Sequence, residues 1–203
     1  ESPRPPSLWT PAADGQWLQP VQLLRYEIGG TPRLELGSRT FTHGRDFVMR
    51  ATPDARPFSV EAPLIFAGYG LDLPARGLVD YEGLDVRGAI VVVLDGHPVG
   101  LPSDVGAHLD SDKARMAAER GAVGMLVVRT ERDNERLSWQ RFARYPNRRR
   151  TTWVGAAGQP YDSRRVGFSA TLSPEMAARL FGGAPRPIDE VLLCDPEPRE
   201  RTA

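Results

Sequence analysis

The densest apolar positions fall in two uninterrupted runs, Ile90–Leu94 (IVVVL) and Met125-Leu126-Val127-Val128. Gly88 and Gly96 bound the first, and Gly121 and Gly124 lead into the second. Runs of β-branched residues without polar alternation read as strands buried on both faces. Between them Ala114, Met116, Ala117 and Ala118 face one way at helical spacing, which predicts a helix starting at an Asp110 or Ser111 cap and running through Lys113 to Arg120. Gly121 then falls where a left-handed C-terminal cap belongs. Strand, helix and strand with short joints predict a crossover between parallel strands. Further strands are predicted at 63–69, 47–49 and 166–172, and a hairpin at 34–36 and 40–42 turning on Gly37-Ser38. Residues 17–26 predict a short strand or helix joint, and Asp80-Tyr81-Glu82-Gly83 has the composition of a turn. Ser173-Pro174-Glu175 is a helix start, with Ser as N-cap, Pro at the first helical position and Glu in the first turn. Met176, Ala177, Leu180 and Phe181 give that helix an apolar face, and Gly182-Gly183 ends it.

Composition narrows the picture. The 203 residues suffice for one domain with arms, and 40% hydrophobic content supports a core. Twenty Gly and 19 Pro indicate many turns and a β-rich body. Pro3, Pro5, Pro6 and Pro11 mark residues 1–14 as an extended arm, and residues 191–203 read as a polar tail. The formal net charge of zero removes any global attraction to nucleic acid or anionic lipid. Every basic residue except Lys113 is Arg. Cys194 is the single cysteine, so no internal disulfide exists, and it reads as an inert buried thiol. No apolar run approaches the ~18 residues that cross a bilayer. No secretory signal is visible, and the chain opens on Glu1 rather than Met, which suggests a processed or deliberately cut chain.

The order and spacing of five blocks carry a family resemblance: Phe66-Ala67-Gly68-Tyr69-Gly70, then Asp80-Tyr81-Glu82-Gly83-Leu84-Asp85-Val86-Arg87-Gly88, then Ile90–Leu94, Lys113-Ala114-Arg115 and Gly121-Ala122-Val123-Gly124. Together they resemble the protease-associated (PA) domain, in the form inserted into bacterial M28-family zinc aminopeptidases. Trp17-Leu18-Gln19-Pro20-Val21 resembles the segment ahead of that insertion, and residues 169–181 the serine-led helix after it. The resemblance implies an α+β fold of the swivelling β/β/α type: a small, largely closed mixed sheet or barrel over residues 15–190 with helices outside. It also implies a non-catalytic chain, with no cofactor of its own and zinc held in the parent's catalytic domain. The partners it implies are the peptidase domain of the same polypeptide and a peptide or protein substrate, with neither nucleic acid nor membrane. The parent would be exported.

Three constellations are weighed against that background. His108-Leu109-Asp110 has the look of the family's zinc-ligand pair, and imidazole with carboxylate suits zinc. Only His43 and His97 precede it and no His follows, so the pair reads instead as a polar loop with Asp110 and Ser111 capping the helix. The resemblance makes the loop at 96–110, with His97, Leu101, Asp104 and His108, a candidate for lining the approach to the parent's active site. Residues 129–150 hold eight Arg against Glu131, Asp133 and Glu135. Trp139, Arg141, Phe142, Arg144 and Tyr145 within it superficially suit single-stranded nucleic acid, but read better as an exposed or domain-contact segment whose rings, three residues apart, fit one face of a short helix or a loop anchored to the body. Two other readings stand beside the accessory module. One is a free-standing PA-type protein- or peptide-binding domain. The other is a small zinc hydrolase using His108 and Asp110.

Overall fold

The computed structural model describes residues 21–53, 58–155, 157–161 and 165–193. The proline-rich arm, the Trp17–Pro20 part of the first segment and Cys194 lie outside them. Four short strands come first: β1 (Leu23–Tyr26), β2 (Arg33–Leu36), β3 (Arg39–Thr42) and β4 (Phe47–Arg50). Next are β5 (Leu64–Phe66), β6 (Asp72–Leu73), β7 (Leu78–Val79), β8 (Ile90–Leu94), helix α1 (Ser103–Glu119) and β9 (Gly124–Val128). Then follow α2 (Glu131–Arg136), α3 (Trp139–Phe142), β10 (Arg150–Trp153), β11 (Ser169–Leu172), α4 (Pro174–Phe181) and α5 (Ile188–Leu193).

The central sheet has the order β4-β11-β9-β8-β5. β5, β8, β9 and β11 run parallel, and β4 is antiparallel to β11. The two apolar runs of the sequence are its central strands: Val91, Val92, Val93 and Leu94 pair with Met125, Leu126, Val127 and Val128, and all eight are buried. α1 provides the crossover between them. Three two-stranded ribbons accompany the sheet: β1-β10, β2-β3 and β6-β7. The fold is mixed α+β, as expected. Its sheet is open among the described residues, with β4 and β5 as edges, so enclosure of the core comes from side-chain packing of helices and ribbons rather than a continuous ladder. Phe66 on β5, for example, meets Phe181 on α4 edge-on at 5.6 Å.

The local chemistry explains the boundaries. α1 ends in a Schellman arrangement: the Gly121 amide donates to the Ala118 carbonyl at 2.9 Å and the Ala122 amide to Ala117 at 3.0 Å. Gly121 has φ +85°, which only glycine adopts without strain. Ser173 caps α4 by accepting from the Met176 amide at 3.1 Å, and α4 spans the residues its pattern predicts. α5 continues to Leu193 with Val191 buried, so ordered structure extends into the range assigned to the polar tail.

The start of α1 corrects the sequence reading. The helix begins at Ser103 after an uncapped Pro102, not at Asp110 or Ser111. Ser111 sits mid-helix and its hydroxyl donates to the His108 carbonyl at 2.7 Å. Val105, Leu109, Lys113 and Ala117 repeat every four residues along the inner stripe, and that periodicity rather than a capping box drives the extra turns. No described helix is long and apolar enough to cross a membrane.

Candidate functional site

Parallel strands deliver chemistry to the loops beyond their carboxyl ends. Here those loops carry Asp95, Gly96 and His97 after β8, and α1 runs back across them. Lys113, three turns into α1, reaches this edge with a side chain only 2% exposed. Its ammonium donates to the Leu94 carbonyl at 2.8 Å, to the Gly96 carbonyl, and to Asp110 Oδ1 at 2.8 Å. Three donors meet three acceptors, so the ammonium has no proton free for a ligand. The Tyr69 ring lies 5.6 Å from the same nitrogen. Lys113 therefore ties the end of β8 to α1.

The neighbouring carboxyls feel the burial. Burial pushes Asp95 above its ordinary range, and the charges of Asp133 and Asp110 push the same way; Lys113 and the Gly96 amide oppose. Burial also raises Asp80, opposed by amide hydrogen bonds led by that of Leu71, which donates to Asp80 at 2.9 Å. Asp80, in a segment with the composition of a turn, also serves as an internal acceptor that fixes the chain after Gly70.

The residues singled out at 96–110 separate in space. His97 lies in the turn, its Nδ1 3.1 Å from the Pro98 carbonyl oxygen. Its ring rests so closely on α1 that a Cβ built on Gly106 would overlap it. Leu101 is half-buried against the core. Asp104 is exposed in the first turn of α1, so the loop is confined to residues 95–102. His108 is 75% exposed and lies 3.8 Å from Asp112, one turn on. Asp110 belongs to Lys113. Two positions apart on a helix, His108 and Asp110 point to different sides, so the pair does not fit one zinc ion. Among the described residues no group of three His, Cys, Asp or Glu could hold a metal.

The arginine-rich segment also divides. Arg129 is 6% exposed; its guanidinium donates to Asn134 Oδ1 at 2.9 Å, to the Asp133 carbonyl at 2.7 Å and to the Leu137 carbonyl. It lies 4.8 Å over the Phe142 ring, so Phe142 completes an internal clamp. Trp139 donates from Nε1 to the Arg45 carbonyl at 2.8 Å, pinning α3 to the β3–β4 turn. Arg141 is exposed on α3. Tyr145 lies beyond the helix, 57% exposed, between Arg144 and Arg148. Trp139 and Phe142 pack against each other on α3 with ring centroids 5.6 Å apart, and Tyr145 follows the helix outside that pair. Arg144 instead lines a groove of about 930 Å³ between the β3–β4 turn, α3 and α4. Sequence reasoning missed this groove because its walls come from three stretches separated in the chain, 39–46, 139–144 and 175–179.

Three comparisons bear on identity. Residues 60–158 match the family described as PA domain. No curated protein matches the chain at significance. Among solved structures, an aminopeptidase from Aneurinibacillus sp. strain AM-1 is similar at 18% identity and a TM-score of 0.34, over 81% of this chain. The chain spans 31% of that enzyme's length.

Proposed function

Residues 60–158 belong to the PA domain family, and from that premise we propose that the chain is the accessory module of an exported bacterial M28-type zinc aminopeptidase. In this reading it performs no chemistry of its own. It shapes the approach of peptide substrates to a catalytic domain of the same polypeptide, through the loop at 95–102 and the exposed first turns of α1. Zinc belongs to that catalytic domain.

One observation carries the reading: the polar groups at the carboxyl edge of the sheet are engaged with one another. Lys113 is saturated, Asp110 is its counterion, and the His97 ring is seated on Gly106. Asp112 is held at 2.6 Å by Arg115. A hydrolytic centre needs a nucleophile or metal-bound water with an open position. This edge offers instead a rigid platform with a short exposed tip at Val99 and Gly100.

The test is a short Gly-Ser insertion between Val99 and Gly100 in the full-length polypeptide, assayed on single aminoacyl substrates and on longer peptides. The access role predicts altered kcat/KM for long peptides with short substrates unaffected. Equal kinetics on both classes would remove it.

A further inference from the structure

The groove between the β3–β4 turn, α3 and α4 is not part of the carboxyl-edge platform. Most of its walls lie outside residues 60–158, because Arg39, Arg45 and Asp46 precede that segment and Glu175 and Arg179 follow it. We propose that this groove binds an acidic peptide segment, one carrying two or more carboxylates around an apolar residue.

The charges decide the class of ligand. Two acids line the groove, Asp46 and Glu175. Asp46 is already satisfied: Arg45 donates to its carboxylate at 2.9 Å, and the Thr42 amide at 2.7 Å. The hydrogen bond from Arg45 holds that carboxyl below its ordinary range. Glu175 alone therefore faces Arg39, Arg144 and Arg179, all three exposed. Arg39 and Arg179 form no ion pair among the described residues, although Arg179 lies near enough to Asp46 to lower its pKa slightly. Guanidinium forks suit carboxylates, which they take in two parallel hydrogen bonds. The chain as a whole is neutral, so this excess is local to the groove.

The floor decides the rest. Trp139 lines the groove with its indole nitrogen already committed to the Arg45 carbonyl, so it presents ring surface rather than a donor. A fixed aromatic ring flanked by arginines suits an apolar side chain between acidic neighbours. A nucleic acid would also meet arginines and a ring, but it needs an uninterrupted basic track along its backbone, and two carboxylates, Asp46 and Glu175, stand among the lining residues.

The experiment titrates a fluorescein-labelled Glu-Asp-Leu-Glu-Asp peptide into the full chain at about 50 mM salt and again at about 300 mM, where screening shortens the reach of exposed charges. Its Gln-Asn-Leu-Gln-Asn counterpart and a single-stranded oligonucleotide run alongside. Saturable binding of the acidic peptide, absent for the neutral one and weakened by salt, is expected. R39E/R179E should weaken it at least about tenfold, as the loss of charge-assisted hydrogen bonds implies. R76E/R132E, on exposed positions away from the groove, should leave it unchanged. R39Q/R179Q is the substitute if charge reversal disturbs folding by circular dichroism. No binding, binding indifferent to R39Q/R179Q, or an oligonucleotide bound as tightly as the peptide overturns the assignment. None of these readouts depends on the access role of the loop at 95–102.

Discussion

Lys113 is the one lysine of the chain and has a saturated ammonium in an almost fully buried position. Removing the ammonium leaves the Leu94 and Gly96 carbonyls without their donor and Asp110, 38% exposed, without its counterion, which costs more than the set contributes when intact. Lys113→Met should therefore destabilise the fold by about 3 kcal/mol in urea denaturation, and adding Asp110→Asn should recover part of the loss. A change below about 1 kcal/mol would mean that water replaces the ammonium. Asp95 behaves oppositely. Its folded pKa lies above the unfolded value near 4, so ionisation costs stability once pH rises through that window, and below it no cost arises. Asp95→Asn should raise the urea midpoint at pH 7, with the gain vanishing below about pH 4. An equal gain at both values would show that the effect is packing rather than charge. The sequence showed Lys113 as an oddity of composition but not its inward direction. Only the four-residue repeat through Val105, Leu109 and Ala117 reveals that, and a lysine in such a stripe reads as an interruption.

At the scale of elements, local chemistry was legible and encounters between distant segments were not. The Ser173 cap, the Gly121 cap and the two buried runs each depend on neighbours within a few residues, and each lies where its pattern predicts. The start of α1 was misread because glycine and proline at 96–102 resemble a long loop, and Asp110-Ser111 resembles a cap. The contact that fixes that loop, His97 on Gly106, joins two segments with no shared periodicity. Gly106→Ala should displace the His97 ring and cost about 1–3 kcal/mol, the range for overpacking. His97→Ala in the same chain should relieve most of that cost. A double-mutant cycle by thermal or urea denaturation measures the coupling, and additive effects would show that ring and helix do not touch. The candidate groove was illegible for the same reason: Arg39, Trp139 and Arg179 meet only after the chain has folded.

At the scale of the molecule, the PA segment does not contain its whole sheet. β5, β8 and β9 lie within residues 60–158, whereas β4 and β11 come from the flanks and complete the same sheet in register. The flanks are thus structural parts of the unit, and they also supply most of the arginine groove. The fold class was readable from the strand–helix–strand core alone; the open edges were not, because pairing between strands distant in sequence depends on topology. The proposed role requires that this chain be a platform without a hydrolytic centre. The most direct test is hydrolysis of aminoacyl p-nitroanilides by the purified chain with added zinc. A rate equal to that of the buffer blank is expected. Turnover that disappears with chelator and with His108→Ala would contradict it.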